Sequence, residues 1–244
     1  MGRVNAVVKA GFRVVGLADP LSRLKRGATL VWRNQRLAVS GGGEADYFLP
    51  HGYRFRRSHW YLDTRNRQDE DFQKEVYEFA AGISRNCRQR RVYDVGCGSG
   101  KKTLKYFKSV ETIGFEIEPT LSHLRRIYPD RIWELSDFSR IDYEPCDLLV
   151  CADVIEHVEA PSQLLRMIVR MQPTDIVIST PERDAILEKD SGAAEGPPVN
   201  PFHLREWNLK EFGRLLSCYF EIVEQRRLVS VRTQQLAHCR LRRH

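Results

Sequence analysis

The sequence of 244 residues predicts an α/β fold: a Rossmann-like, doubly wound, mostly parallel sheet of seven strands with a C-terminal antiparallel edge hairpin. Three observations lead to this prediction. Short apolar stretches alternate with amphipathic stretches of helical period from residue 69 onward. A glycine-rich turn at 96–100 joins one apolar stretch to a helical one. Acidic residues directly follow several apolar stretches, at the sheet edge where open α/β folds bind ligands.

The first predicted element is a helix over 69–85, because Phe72, Val76, Phe79 and Ile83 recur at helical spacing. The elements that follow are strand 91–95, helix 101–108, strand 112–117, helix 119–127, strands 131–135 and 147–152, helix 161–171, strand 175–180, helix 207–217, and strands 220–227 and 229–239. Strands that alternate with helices run parallel, whereas consecutive strands joined by a short turn run antiparallel. The last two strands are therefore expected to form the edge hairpin.

The chain divides into an N-terminal extension, residues 1–68, and a domain over residues 69–244. Residues 1–46 carry eight Lys or Arg against three acids, within a total net charge of +7. A modest basic excess of this kind is compatible with an ordinary solvated surface. In residues 47–61, six of fifteen side chains are aromatic. This segment is expected either to form a lid over a substrate or to fold back onto the core by its aromatic side chains.

The cysteines, the apolar runs and one long loop indicate what kind of protein this is. Six cysteines without a C-x-x-C pair indicate reduced thiols and a cytoplasmic location. No run of 18 apolar residues occurs, so the sequence predicts no transmembrane helix. The loop over 181–206 is long and contains four prolines. Because loops of this length are usually functional or disordered, and because this one leaves the ligand edge of the sheet, we expect it to cover an active site.

The spacing of the glycines in the turn excludes two common classes of nucleotide-binding motif. A phosphate-binding P-loop needs Gly at position 95 and Ser or Thr at position 102, where this chain has Val95 and Lys102. A dinucleotide-binding G-x-G-x-x-G turn needs Gly at position 101, where this chain has Lys101. The strand–turn–helix context still favours an adenosyl ligand.

The full sequence of the turn, D-V-G-C-G-S-G over 94–100, resembles motif I of class I S-adenosylmethionine (SAM) methyltransferases. The resemblance extends over roughly residues 70–231. It implies that residues 69–244 form a methyltransferase domain with SAM as its cofactor. The turn residues expected to bind SAM are Asp94, Gly96, Cys97, Gly98 and Gly100.

Three further stretches supply the remaining candidate SAM contacts. Glu116, with its neighbour Ile117, lies about 20 residues past the glycines, the spacing at which a carboxylate reaches ribose hydroxyls. The resemblance implies that Asp137 binds the adenine amino group and that Phe138 packs on the ring. Strand 147–152 delivers its end, Ala152 and Asp153, to the same edge.

The turn Asp153-Val154-Ile155-Glu156-His157 is the candidate catalytic segment. A helical turn there would place Asp153, Glu156 and His157 on one face. His203 arrives from the long loop, ahead of a Glu-Trp pair, and the four side chains could bind a divalent cation.

The turn is similar to that of ubiquinone-pathway O-methyltransferases and of small-RNA 3′-terminal 2′-O-methyltransferases. In the latter the corresponding residues and a later histidine hold Mg²⁺ or a similar ion, which implies Mg²⁺ or Mn²⁺ here, although Asp153 stands where those enzymes have Glu. Many class I methyltransferases carry such a turn without a metal, and in them it orders the donor pocket. Both interpretations stay open at this point.

These observations predict a SAM-dependent methyltransferase that methylates a hydroxyl of a saccharide or another small polar metabolite. The stretches Tyr47 to Tyr53, Ser179 to Asp184 and Gly196 to Trp207 resemble those of bacterial methyltransferases associated with polysaccharide assembly. This resemblance implies a saccharide acceptor. His203 is the first candidate for the general base and His157 the second. A metal-dependent RNA 2′-O-methyltransferase and a non-catalytic SAM-binding protein are the alternatives.

Overall fold

The computed structural model describes residues 45–56, 73–187 and 195–242. A short 3₁₀ helix, Ala45–Phe48, precedes the main domain. The domain consists of α1 (Lys74–Asn86), β1 (Arg91–Val95), α2 (Lys101–Tyr106), β2 (Glu111–Glu116), α3 (Thr120–Ile127), β3 (Ile132–Leu135), β4 (Leu148–Ala152), a 3₁₀ turn (Ile155–His157), α4 (Pro161–Arg170), β5 (Asp175–Pro181), α5 (Arg183–Leu187), α6 (Leu209–Ser217), β6 (Phe220–Arg227) and β7 (Gln234–Leu241).

One seven-stranded sheet organises these elements, in the order β3-β2-β1-β4-β5-β7-β6. The first five strands are parallel, and β7 runs antiparallel to both β5 and β6. The predicted doubly wound sheet with its antiparallel edge hairpin is therefore confirmed. The strand order reverses direction between β1 and β4, which places a crevice between their carboxyl ends.

Two elements differ from the sequence prediction. β7 begins at Gln234 rather than at 229, because the Glu75 carboxylate accepts hydrogen bonds from the backbone N–H groups of Val229 and Ser230 and holds them in a turn. The predicted loop 181–206 contains helix α5. Its first turn is capped by the Glu182 carboxylate, which accepts a hydrogen bond from the Ala185 N–H at 2.8 Å.

The core lies on both faces of the sheet. β4 and β5 are buried along their whole length, as expected for central parallel strands covered by helices on both sides. α1 packs on one face, and α4 and α6 pack on the other. No helix in the described ranges is long and apolar enough to cross a membrane. The sheet is thus a rigid support for the loops at its carboxyl edge.

The N-terminal segment 45–56 packs on the second half of the long loop. The Arg56 N–H donates to the Leu204 carbonyl at 2.8 Å, and the Trp207 indole donates to the Tyr47 carbonyl at 3.0 Å. Tyr53 is buried, and its hydroxyl accepts a hydrogen bond from the Glu206 N–H at 3.1 Å. The segment therefore folds back on the domain by its aromatic side chains, whereas residues 57–61 of the predicted lid lie outside the described ranges.

Candidate functional site

The glycine turn combines close packing with an open side. Gly96, Gly98 and Gly100 have φ angles of +73°, +54° and +70°, in the left-handed region that favours glycine. A Cβ on Gly96 would lie 2.3 Å from a methyl carbon of Val154, and one on Gly100 would lie 2.6 Å from the Trp133 ring. A Cβ on Gly98 would meet nothing within 4 Å. The space above Gly98 is thus open to a ligand.

Two side chains of the turn face inward. The fully buried Asp94 carboxylate accepts hydrogen bonds from the Tyr77 hydroxyl, at 3.0 Å, and from the Thr103 hydroxyl. Burial raises the pKa of Asp94 to about 6. The Cys97 side chain packs in an apolar cluster with Trp133. Asp94 therefore ties α1 and α2 to β1, and the turn presents its backbone, rather than these two side chains, to the crevice.

The carboxylate of Glu116 lies beside the open space. Its Oε2 accepts a hydrogen bond from the Gly98 N–H at 2.8 Å, and its Oε1 accepts one from the Ile117 N–H at 2.9 Å. The Ile117 side chain is exposed next to it. A half-exposed carboxylate fixed in this way can accept hydrogen bonds from a diol. Contact of Glu116 with ribose stays a prediction.

Asp137 and Phe138 follow β3 on the neighbouring strand end. β3 pairs with β2 so that Leu135 lies opposite Glu116. The Asp137 carboxylate accepts hydrogen bonds from the hydroxyl and the N–H of Ser139, at 2.7 and 2.8 Å, and the bond from the hydroxyl contributes most to lowering the pKa of Asp137. Phe138 packs half-buried against the core. Both side chains stand at the predicted edge, and their adenine contacts stay a prediction.

Asp153 lies before the 3₁₀ turn that carries Glu156 and His157. Its φ angle is +53°, so the 3₁₀ turn begins only after it. Its carboxylate accepts hydrogen bonds from the Ser179 hydroxyl at 2.7 Å and from two glutamine side chains, Gln234 at 2.6 Å and Gln73 at 3.2 Å. Burial raises the pKa of Asp153. Three donors thus engage the Asp153 carboxylate, which also interacts electrostatically with Glu156 and His203. Its role as a metal ligand stays a prediction.

The structure brings together Glu156, His157 and His203, whose potential ligand atoms all lie within 4.8 Å of one another. We call these three residues the histidine cluster. The two imidazole rings are T-shaped, with centroids 4.9 Å apart. The buried Glu156 accepts a hydrogen bond from the Thr180 hydroxyl through Oε2, at 3.0 Å. Its Oε1 has no hydrogen-bond partner among the described residues, and burial raises the pKa of Glu156 well above its usual range.

Each imidazole of the cluster is oriented by a second group. The Phe202 carbonyl accepts a hydrogen bond from His157 Nδ1 at 2.7 Å. The Glu206 carboxylate accepts one from His203 Nδ1, and His203 Nε2 accepts one from the Asn200 amide at 2.8 Å. These partners assign the Nδ1–H tautomer to both rings, so that Nε2 is the acceptor atom of each. In His203 this atom already accepts the hydrogen bond from Asn200. A carboxylate behind an imidazole is a common support for both metal ligands and general bases.

The histidine cluster has features of a metal-binding site and features of a general-base site. The buried Glu156 Oε1 accepts no hydrogen bond from the described residues and lies 3.9 Å from His157 Nε2, so it can bind a metal ion or a proton. One carboxylate and two neutral imidazoles are a ligand set that suits Mn²⁺, Fe²⁺ or Zn²⁺ better than Mg²⁺, which prefers oxygen. His203 with Glu206 behind it has the geometry of a general base.

Sequence reasoning missed the supporting groups. Gln73 and Gln234 lie far apart in the chain and carry no motif, so no local pattern could have linked them to Asp153. Thr180 lies in a stretch, Ser179 to Asp184, that resembles the bacterial methyltransferases associated with polysaccharide assembly, but the sequence does not link it to Glu156. Glu206 was visible as the acid of the Glu-Trp pair, three residues after His203, a spacing that makes contact with it plausible in a tight turn.

A family model described as a methyltransferase domain matches residues 61–225. A relative from Mycolicibacterium smegmatis (strain ATCC 700084 / mc(2)155), described as a probable S-adenosylmethionine-dependent methyltransferase, is 30% identical over 148 residues. This match covers 57% of the chain and 55% of the relative, so the chain spans about half the length of the curated relative it matches.

Solved structures share the fold at low identity. The PH0226 protein from Pyrococcus horikoshii OT3 superposes with a TM-score of 0.58 at 12% identity, over 75% of this chain and 96% of that one. The small RNA methyltransferase HEN1 superposes with a TM-score of 0.55 at 18% identity, over 77% of this chain and 27% of that one. At such identities the likeness concerns the fold alone.

Proposed function

The chain belongs to the methyltransferase-domain family, whose cofactor is SAM, and from this premise we propose that it methylates a hydroxyl of a saccharide or another small polar metabolite. One observation carries the proposal: the open glycine turn and the histidine cluster adjoin. Gly96 packs against Val154, two residues before Glu156. A donor bound over the turn would therefore lie beside His157 and His203.

The donor half of the proposed site consists of residues from four strand ends. The Gly98 backbone and the Ala152 strand end would line the methionine portion, Glu116 would accept from ribose, and Asp137 with Phe138 would hold adenine. SAM supplies a methyl group that its sulfonium has already activated. The protein's contribution is to hold an acceptor oxygen in line with that methyl group, and alignment alone can contribute several kcal/mol.

His203 is the proposed base. A hydroxyl must lose its proton as it attacks, and His203 Nε2 can take that proton while the Glu206 carboxylate stabilises the resulting imidazolium. In the structure Nε2 accepts from the Asn200 amide, so we expect the acceptor hydroxyl to replace that amide. His157 stands at the second face of the acceptor position, with its ring fixed by the Phe202 carbonyl.

A metal-assisted version uses the same residues differently. Glu156, His157 and His203 would hold Mg²⁺ or Mn²⁺, and the chemistry such an ion supplies is a lowered pKa for a bound hydroxyl. His203 would then be a ligand rather than the base. The two versions predict different responses to chelation, since only the second loses turnover in the presence of EDTA.

The acceptor class is tested by methyl transfer from radiolabelled SAM to a panel of monosaccharides, oligosaccharides and small phenols or amines, with and without EDTA. We expect label in a saccharide or small hydroxyl compound. The matched control is Glu116→Ala, which should reduce transfer to every acceptor alike. Transfer to amines only would refute the hydroxyl proposal while leaving the methyltransferase assignment intact.

A second function, 2′-O-methylation of RNA, is favoured by one observation: the histidine cluster occurs in a domain whose fold is similar to that of the small RNA methyltransferase HEN1. The same assay tests this function when an RNA oligonucleotide with a free 3′-terminal diol is added to the acceptors. The control is the same RNA after periodate oxidation, which removes the terminal diol. SAM binding without transfer to any acceptor would support the non-catalytic alternative.

A further inference from the structure

A groove of about 890 Å³ lies at the amino edge of the sheet. Its lining includes Gln89, before β1, Asp175, at the start of β5, and Arg240, near the end of β7. The glycine turn lies at the opposite edge, and a five-residue strand at about 3.3 Å per residue separates the two by roughly 16 Å. The groove therefore has no part in the proposed methyl transfer.

The floor of the groove is organised around one buried carboxylate. Asp175 is only 1% exposed. Its Oδ1 accepts hydrogen bonds from His238 Nε2 at 2.8 Å and from Arg240 Nε at 2.9 Å, and its Oδ2 accepts one from the Gln89 amide at 2.8 Å. Asp147 is similarly engaged, by the N–H groups of Arg90 and Arg91. Both floor carboxylates are thus committed within the protein.

Gln89, on the floor of the groove, has a side-chain oxygen that accepts no hydrogen bond from the described residues. Its side-chain NH₂ donates to Asp175 and to the Asp147 carbonyl, which fixes the orientation of the amide. The residue is 7% exposed, and its Oε1 is buried without a hydrogen-bond partner among the described residues. A buried acceptor of this kind indicates a missing donor. Because Gln89 lines the groove, a hydroxyl group of a molecule bound there can supply this donor.

The rim supplies positive charge. Arg88 and Arg90 are exposed, and their guanidinium groups contact none of the described residues through a hydrogen bond or an ion pair. Arg242 donates only to backbone carbonyls. Glu221 is the one exposed acid of the lining. Free guanidinium groups beside a preorganised polar floor attract an anion, above all a phosphate.

We propose that this groove is a second ligand site that binds a small phosphate ester carrying free hydroxyl groups, as in a sugar phosphate. Arg88 and Arg90 pair with the phosphate, and a hydroxyl of the same molecule donates to Gln89 Oε1. The proposal does not depend on the catalytic assignment, because none of its residues belongs to the glycine turn or to the histidine cluster.

The test is a titration of the full chain with ribose 5-phosphate and, separately, with sulfate, followed by NMR through the side-chain amide signals of Gln89. Sulfate carries the charge but no proton for Oε1. We expect ribose 5-phosphate to bind at least about tenfold more tightly than sulfate and to shift the Gln89 signals. The double variant Arg88→Gln/Arg90→Gln should weaken ribose 5-phosphate by about tenfold or more.

The control is Lys108→Gln/Arg131→Gln, which removes the same charge from exposed positions outside the groove. It should bind ribose 5-phosphate as the unmodified chain does. Equal affinity for sulfate and ribose 5-phosphate would overturn the role of Gln89, and equal weakening in both double variants would reduce the effect to overall charge. Either result overturns the proposal of a site for a phosphate ester that carries hydroxyl groups.

Discussion

Alanine substitutions at Gly96 and Gly98 form a matched pair, because the added Cβ would clash with Val154 at Gly96 and would meet no protein atom within 4 Å at Gly98. Both have positive φ, so alanine costs about 1–2 kcal/mol of strain at either position. At Gly96 the new Cβ also lies 2.3 Å from the Val154 methyl, and such overpacking adds about 1–3 kcal/mol. We therefore expect Gly96→Ala to lower the unfolding free energy by about 2–5 kcal/mol and Gly98→Ala by only about 1–2 kcal/mol.

The pair separates when stability and ligand binding are measured together. A domain of this size loses about 2–4 °C in Tm per kcal/mol, so scanning calorimetry resolves the two variants. Gly98→Ala fills the open space over the turn and should weaken S-adenosylhomocysteine by about tenfold or more, although it unfolds near the parent temperature. If Gly98→Ala binds S-adenosylhomocysteine normally, the ligand does not approach this glycine and the assignment of the donor site fails.

A double variant tests the packing part of the reasoning. Val154→Ala removes the methyl groups that a Cβ on Gly96 would meet. The combination Gly96→Ala/Val154→Ala should therefore be more stable than the sum of the single effects, by about 1–3 kcal/mol of coupling. Strict additivity would show that the contact of the turn with Val154 is not the source of the cost.

Four further expectations concern other groups. His203→Ala should abolish turnover and keep S-adenosylhomocysteine bound; normal turnover would move the base elsewhere. Glu116→Ala should weaken S-adenosylhomocysteine about tenfold without changing the Tm; unchanged affinity would remove the ribose assignment. If an ion is used, Glu156→Gln should eliminate stimulation by Mn²⁺ while donor binding persists, and stimulation that survives would place the ion elsewhere. Burial raises the pKa of Glu75, but hydrogen bonds from Ser230, Arg226 and Val229 outweigh it and lower that pKa to about 2. Glu75 should therefore contribute to the unfolding free energy above pH 4.5, and this contribution should be lost as the pH falls toward 2. Urea unfolding of Glu75→Gln should not show this pH dependence.

The architecture could be predicted because it depends on local periodicity. Alternating apolar and amphipathic stretches determine which segments become strands and helices, and the wording around Gly96 identified the family, which the family-model match confirmed. The helix α5 escaped prediction, because it is held by Glu182, whose second oxygen accepts from the Leu209 N–H at 3.0 Å. A contact across 27 residues leaves no periodic signal.

The site was predictable to the extent that its residues follow strands directly. Glu156, His157 and His203 do meet at the carboxyl edge, as the positions of β4 and the long loop implied. The Asp153 carboxylate accepts hydrogen bonds from Ser179 and from Gln234, 81 residues away, and its role as a ligand stays a prediction. Local spacing carries no information on such distant partners.

Calorimetric titration with S-adenosylhomocysteine, with and without Mn²⁺, tests the central assignment most directly. We expect micromolar binding that Glu116→Ala weakens, and a heat of Mn²⁺ binding that Glu156→Gln abolishes if the histidine cluster holds the ion. The complete absence of S-adenosylhomocysteine binding by the folded chain would contradict the assignment of the glycine turn as a methyl-donor site.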